Sequence, residues 1–207
     1  MRLSKSEYNY LMEPTNGDPL LEILQITVRI GDLESSFLSI LDSSHSDPID
    51  FRAILQNCSL IWDEQMSVRN RGQLGQEPQR SQRTKNDPEM LSPELLFGFA
   101  YDFASPSNAL LYIMFWVNFV FLQSLIGRTK TLIHQHTSST ASAYASLQFE
   151  DTAFACVHPE EYADKVARAV PYCLQDCMKF SVIKEVVYGL SASAIRYVTT
   201  ENGEKHR

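Results

Sequence analysis

The stretch that decides the fold is Ala109-Leu110-Leu111-Tyr112-Ile113-Met114-Phe115-Trp116-Val117-Asn118-Phe119-Val120-Phe121-Leu122-Gln123-Ser124-Leu125-Ile126. Asn118, Gln123 and Ser124 alone interrupt its apolar character. Its length is near the lower limit for crossing a bilayer, and Arg128 and Lys130 follow it as a stop-transfer flank would. Two readings compete: a single-pass membrane anchor over 109–126, or the buried helix at the centre of a helical domain. Three polar side chains within the run would be costly in lipid. The central-helix reading is therefore preferred. It sets the expected fold class, all-α, as an irregular bundle of antiparallel helices packed around a long apolar helix.

Working outward, helix starts are legible because a cap residue followed by proline recurs. Proline suits the first helical position, where its missing N–H is not needed. Ser105-Pro106 opens the long apolar helix, which should run to about His136. Asp18-Pro19 opens a helix reaching about Ser43, with Ile23, Ile30, Phe37 and Leu41 mostly on one face and Gly31 as a candidate bend. Asp47-Pro48 opens another, in which Phe51, Ile54, Leu55, Cys58, Ile61, Trp62 and Met66 recur at spacings of three and four. His158-Pro159-Glu160-Glu161 opens a further helix, its two glutamates favourable to the helix dipole, and Pro171 should kink or end it. Phe180, Ile183, Val187, Leu190, Ala194 and Tyr197 mark a last helix.

Between these helices, Arg69 to Pro88 breaks all periodicity and reads as a flexible loop. No segment alternates as a strand, and no internal repeat is evident. The organisation is a flexible N-terminus (1–17), a helical domain (18–198) interrupted by a flexible loop (69–90), and a flexible tail (199–207).

Composition narrows the function classes. Of 207 residues, 44% are apolar and 21% charged, which argues against disorder of the whole chain. A net charge of −7 repels the phosphate backbone, so direct specific nucleic-acid binding is not expected. The charge is uneven: Arg69, Arg71, Arg80, Arg83 and Lys85 stand against Glu77 alone, suggesting a solvated loop, a localisation signal or an interaction loop. Four cysteines are too sparse for a disulfide scaffold. Met1 to Pro14 has no apolar run and is not a signal peptide, which makes cytosol or nucleus the default.

No complete catalytic, metal or cofactor motif emerges. Cys156, His158, Cys173 and Cys177 are four potential zinc ligands, but their spacing matches no common module. Cys173 and Cys177, one helical turn apart, suit a core equally well. Tyr188-Gly189-Leu190-Ser191-Ala192-Ser193 resembles a nucleophile elbow around Ser191, with serine where the motif wants glycine. Too little chain follows Ser191 for the acid, the histidine and the remaining sheet, so a small helical hydrolase is the weaker alternative. His134 and His136, two apart, do not share a helical face. No glycine-rich phosphate loop is present. The expectation is a non-enzyme with no catalytic, cofactor-binding or metal residues and no cofactor.

Four pieces of sequence, in order, carry a resemblance. They are Asp18-Pro19-Leu20-Leu21 opening an apolar helix, Cys58-Ser59-Leu60-Ile61-Trp62, the aromatic run Ala109 to Trp116, and Tyr162-Ala163-Asp164-Lys165-Val166-Ala167-Arg168-Ala169-Val170-Pro171-Tyr172-Cys173-Leu174. Together, over about residues 18 to 198, they resemble the regulatory domain of fungal zinc binuclear-cluster (six-cysteine) transcription factors. The last piece is similar to that family's C-terminal helix, which usually reads Ala-x-x-Ile-x-Arg-Ser-x-x-Tyr. Pro171 departs from the pattern, and with no cysteine before Cys58 the family's DNA-binding zinc module is missing. The resemblance implies a nuclear or nucleocytoplasmic helical regulatory domain that works through protein partners or a homo- or heterodimer. It also implies a truncated paralogue or partial gene product, and leaves any small-molecule effector open.

Overall fold

The computed structural model describes residues 17–42, 48–80, 99–139 and 159–173. Within them lie four helices, α1 (Pro19–Asp42), α2 (Pro48–Asn70), α3 (Pro106–Ser139) and α4 (Pro159–Cys173), and two short strands, β1 (Gln79–Arg80) and β2 (Tyr101–Asp102). Every helix begins on a proline. At α1, Asp18 Oδ1 accepts the N–H of Leu20 at 2.9 Å. At α3, Ser105 Oγ accepts the N–H of Asn108 at 3.1 Å. These are N-caps, each satisfying an amide that has no intrahelical acceptor. The residues preceding α2 and α4, Asp47 and His158, lie outside the described residues, as does the expected helix around Phe180–Tyr197.

Helix α3 is apolar on nearly every side, and a helix of that kind must be covered all round. Helices α1, α2 and α4 all pack on it. Phe115, Phe119, Ile113, Leu122 and Leu125 on α3 are almost wholly buried, as are Ile23 and Ile26 of α1 and Phe51 and Ile61 of α2. The all-α architecture built round the long helix is as the sequence suggests.

Contacts fix the helix directions. Helix α1 runs antiparallel to α2: Glu22 pairs with Arg71, Arg29 with Glu64, and the Phe37 and Phe51 rings sit 6.1 Å apart. Helix α2 is antiparallel to α3, with Gln65 bonded to Phe115 and Trp62 against Phe119. Tyr162 on Phe119 and Tyr172 near Phe103 make α4 antiparallel to α3 as well. Helix α1 runs with α3, since Thr27 meets Asn118 and Glu34 meets Arg128. A hairpin laid on a third helix always leaves one of its arms parallel to that helix.

One local expectation needs correction. The sequence shows no strand, yet β1 and β2 pair antiparallel, Gln79 opposite Asp102 and Arg80 opposite Tyr101. Two-residue strands are too short for alternation to register. The described part of the expected 69–90 loop makes specific contacts. Arg69 and Asn70 end α2, Leu74 is buried, and its carbonyl accepts a bond from Asn108 Nδ2 at 2.7 Å. Gly75 adopts φ +76°, and a Cβ there would lie 3.0 Å from Asn108 Nδ2, so only glycine fits beside that bond.

Pro171 does not end α4, which continues to Cys173. The proline lies inside the described helix, and burial of Tyr172 and Cys173 beside it offsets the lost amide bond. Helix α1 likewise runs unbroken through Gly31. A Cβ at Gly31 or at Gly127 would meet nothing within 4 Å. Gly31→Ala and Gly127→Ala should each raise stability by roughly 0.5–1 kcal/mol. The check is a higher urea midpoint at unchanged m-value.

Candidate functional site

The aromatic residues that helical spacing groups on α3 meet those of α4 and β2 in one cluster. Tyr112, Phe115 and Trp116, three and four apart, share a face of α3. Trp116 lies 5.5 Å from Tyr112 and 5.5 Å from Tyr101 of β2, ring to ring. Tyr162 of α4 stacks on Phe119 at 4.5 Å with an interplanar angle of 16°. Such pairs contribute about 0.5–1.5 kcal/mol each beyond burial. Phe99, next to β2, has the guanidinium carbons of Arg80 and Arg168 at 4.5 and 4.2 Å from its ring centre.

A half-open cleft of about 140 Å³ lies in this cluster, walled by Tyr101, Tyr112, Phe115, Trp116 and Tyr162. Its charged lining comes from Arg69 at the end of α2, Glu77 in the segment after it, and Lys165 on α4. Lys165 Nζ is 2.6 Å from Glu161 Oε1 and 4.6 Å from the Tyr162 ring centre. Arg69 and Glu77 make no ion pair among the described residues.

Burial pushes the hydroxyls of Tyr101, Tyr112 and Tyr162 above the usual phenol range. At Tyr101 the nearby Arg168 and Arg80 oppose that rise. At Tyr112 Glu77 adds to it and Arg69 opposes it; at Tyr162 Arg69 opposes it. All three phenols remain neutral O–H groups at physiological pH. The cleft is thus lined by the edges of a buried aromatic cluster together with charged side chains, and its lining is mixed polar and apolar.

The residues weighed from sequence fall elsewhere. Cys173 is buried at the end of α4, while Cys156, His158 and Cys177 lie outside the described residues. Ser191 lies outside them too, and His134 is exposed near the end of α3. Among the described residues, no three His, Cys, Asp or Glu side chains gather closely enough to hold a metal ion.

Cys58 and Cys173 are free thiols in the core, and burial pushes both from 9.0 up to about 12. Both should resist alkylation at about pH 8 in the native chain and react once urea unfolds it, read peptide by peptide by mass spectrometry. The raised pKa belongs to the folded state, so these thiols support folding fully below the unfolded value of 9.0. That support is lost as pH climbs toward 12, and an alkaline fall in stability should appear over this window.

Helix α3 is long and apolar enough to cross a membrane, but 72% of its most apolar window is buried inside the protein. Two of its polar side chains are also used internally. Asn118 donates to the Ile23 carbonyl at 3.3 Å, and Asn108 to that of Leu74. Packing within the domain accounts for the helix's hydropathy.

No family model matches the chain, and no curated protein or solved structure is significantly similar to it.

Proposed function

We propose that this chain is a non-catalytic helical regulatory domain of the kind carried by fungal zinc binuclear-cluster transcription factors, acting in the nucleus by taking up a partner or effector. The observation that carries the reading is where the resembling segments meet. The aromatic run Ala109–Trp116 lies in α3, and the stretch beginning at Tyr162 forms most of α4. These two pieces supply Tyr112, Phe115, Trp116, Tyr162 and Lys165 to one cleft. A cleft lined by aromatic rings and charged groups suits recognition.

The acidic net charge fits a domain that leaves DNA contact to another module. Protein pairing, with a second copy or a full-length relative, uses surface other than α3, which its neighbours already cover. Leu38 and Leu41 of α1 and Leu60 of α2 are the large apolar side chains left exposed among the described residues.

Tethering the chain to an unrelated DNA-binding module upstream of a fungal reporter gene tests the reading. A clear rise or fall in reporter output relative to the module alone supports it. Unchanged output from a stably expressed, nuclear fusion counts decisively against it.

A further inference from the structure

The geometry points to the cleft as a binding site for a one-ring aromatic carboxylate that carries a hydrogen-bond donor on its ring. This names the effector class for the regulatory reading above and rests on it.

Size sets the first limit. The cleft is about 140 Å³, and an engineered apolar cavity of about 150 Å³ holds one benzene. One six-membered ring matches that volume. The walls set the second. Tyr112, Trp116 and Tyr162 are each less than a tenth exposed and contribute a narrow strip of aromatic surface, which one ring can contact at ordinary ring separations.

Charge sets the third. Arg69, Lys165 and Glu77 line the cleft, and with Glu161 paired to Lys165 the lining charges left without an ion pair among the described residues are Arg69 and Glu77. Lys165 is engaged by Glu161. Arg69 is the lining cation without an ion pair among the described residues, and a guanidinium matches a carboxylate in bidentate fashion. An aromatic cage beside a carboxylate would otherwise suggest a quaternary or methylated ammonium ligand. Arg69 opposes that cation. Glu77 then has a different role: it accepts a hydrogen bond from a hydroxyl or amine on the ring and disfavours a second anionic group.

The test measures equilibrium binding to the full chain by calorimetry. The probes are 4-hydroxybenzoate, benzoate, 4-hydroxybenzyl alcohol and benzylamine. 4-Hydroxybenzoate should bind at least about tenfold more tightly than the uncharged alcohol, the difference expected of one charge-assisted hydrogen-bonded pair. Arg69→Gln should remove that difference while leaving the alcohol unaffected. Glu77→Gln should remove the preference for 4-hydroxybenzoate over benzoate. Both side chains are exposed, so the variants should keep the wild-type urea midpoint.

Equal binding of the charged and uncharged probes overturns the proposal, as does tighter binding of benzylamine. So does the lack of saturable binding to the folded wild type up to about 10 mM. If 4-hydroxybenzoate binds as described but the tethered domain leaves the reporter unchanged, the site stands and the regulatory reading falls. If the reporter responds and no probe binds, the reading stands and the site falls.

Discussion

Replacing Phe119 with alanine is expected to remove about 3–5 kcal/mol of stability, a large part of the 5–15 kcal/mol that typically holds a domain of this size. Phe119 is fully buried at the middle of α3. It touches three rings from three helices: Trp62 of α2 edge-on at 4.6 Å, Phe115 of α3 at 4.9 Å, and Tyr162 of α4 in a stack. Truncation therefore costs the transfer energy of the ring and leaves a cavity that stiff aromatic neighbours collapse into poorly. Urea unfolding followed by tryptophan fluorescence should show the midpoint fall sharply. Phe121→Ala, at a partly buried position two residues on, should cost clearly less. Similar losses at the two positions would mean that α4 does not dock on α3 through Tyr162.

Asn118→Asp should be nearly as damaging at neutral pH, by about 3–5 kcal/mol, because it places an uncompensated charge in the core. Asn118 is 1% exposed. Its Nδ2 donates to the Ile23 carbonyl, and its Oδ1 lies 3.0 Å from Thr27 Oγ1. An ionised aspartate there would face the Ile23 carbonyl with a second acceptor and would have only the Thr27 hydroxyl to stabilise it. Burial would raise its folded pKa above the unfolded value, so the penalty is absent in acid and grows as pH rises through that interval. The expected result is a stability gap from wild type that closes below about pH 4. Asn118→Leu, which buries no charge, should cost far less and show no such pH dependence. A gap independent of pH for the aspartate variant would mean that position 118 reaches water.

Local features of the chain account for how much of this domain was readable beforehand. A cap side chain and a proline act within one turn, so Asp18-Pro19 and Ser105-Pro106 marked α1 and α3 without reference to any other helix. The apolar run from Ala109 to Ile126 identified the central helix because a helix without a polar face has to be surrounded. The cleft was only half legible. Tyr112 and Trp116, or Tyr162 and Lys165, are neighbours by helical spacing alone. Arg69 and Glu77 sit in a stretch without periodicity, and nothing local indicates that it folds against Tyr112. What holds it there is distant in sequence: Leu74 in the core, its carbonyl bonded to Asn108, and Arg80 paired across the ladder with Tyr101.

By itself, then, the sequence determined that the protein is all-α, where its described helices begin, and that one of them lies at the centre. These follow from hydrogen bonding and hydrophobic spacing over a few residues. Only the tertiary structure decided that α1 runs with α3, that Pro171 stays helical, and that a two-residue ladder and a charged aromatic cleft form beside α4. Those outcomes depend on which faces meet, and that is set by packing between residues tens of positions apart, where neither capping nor periodicity carries information.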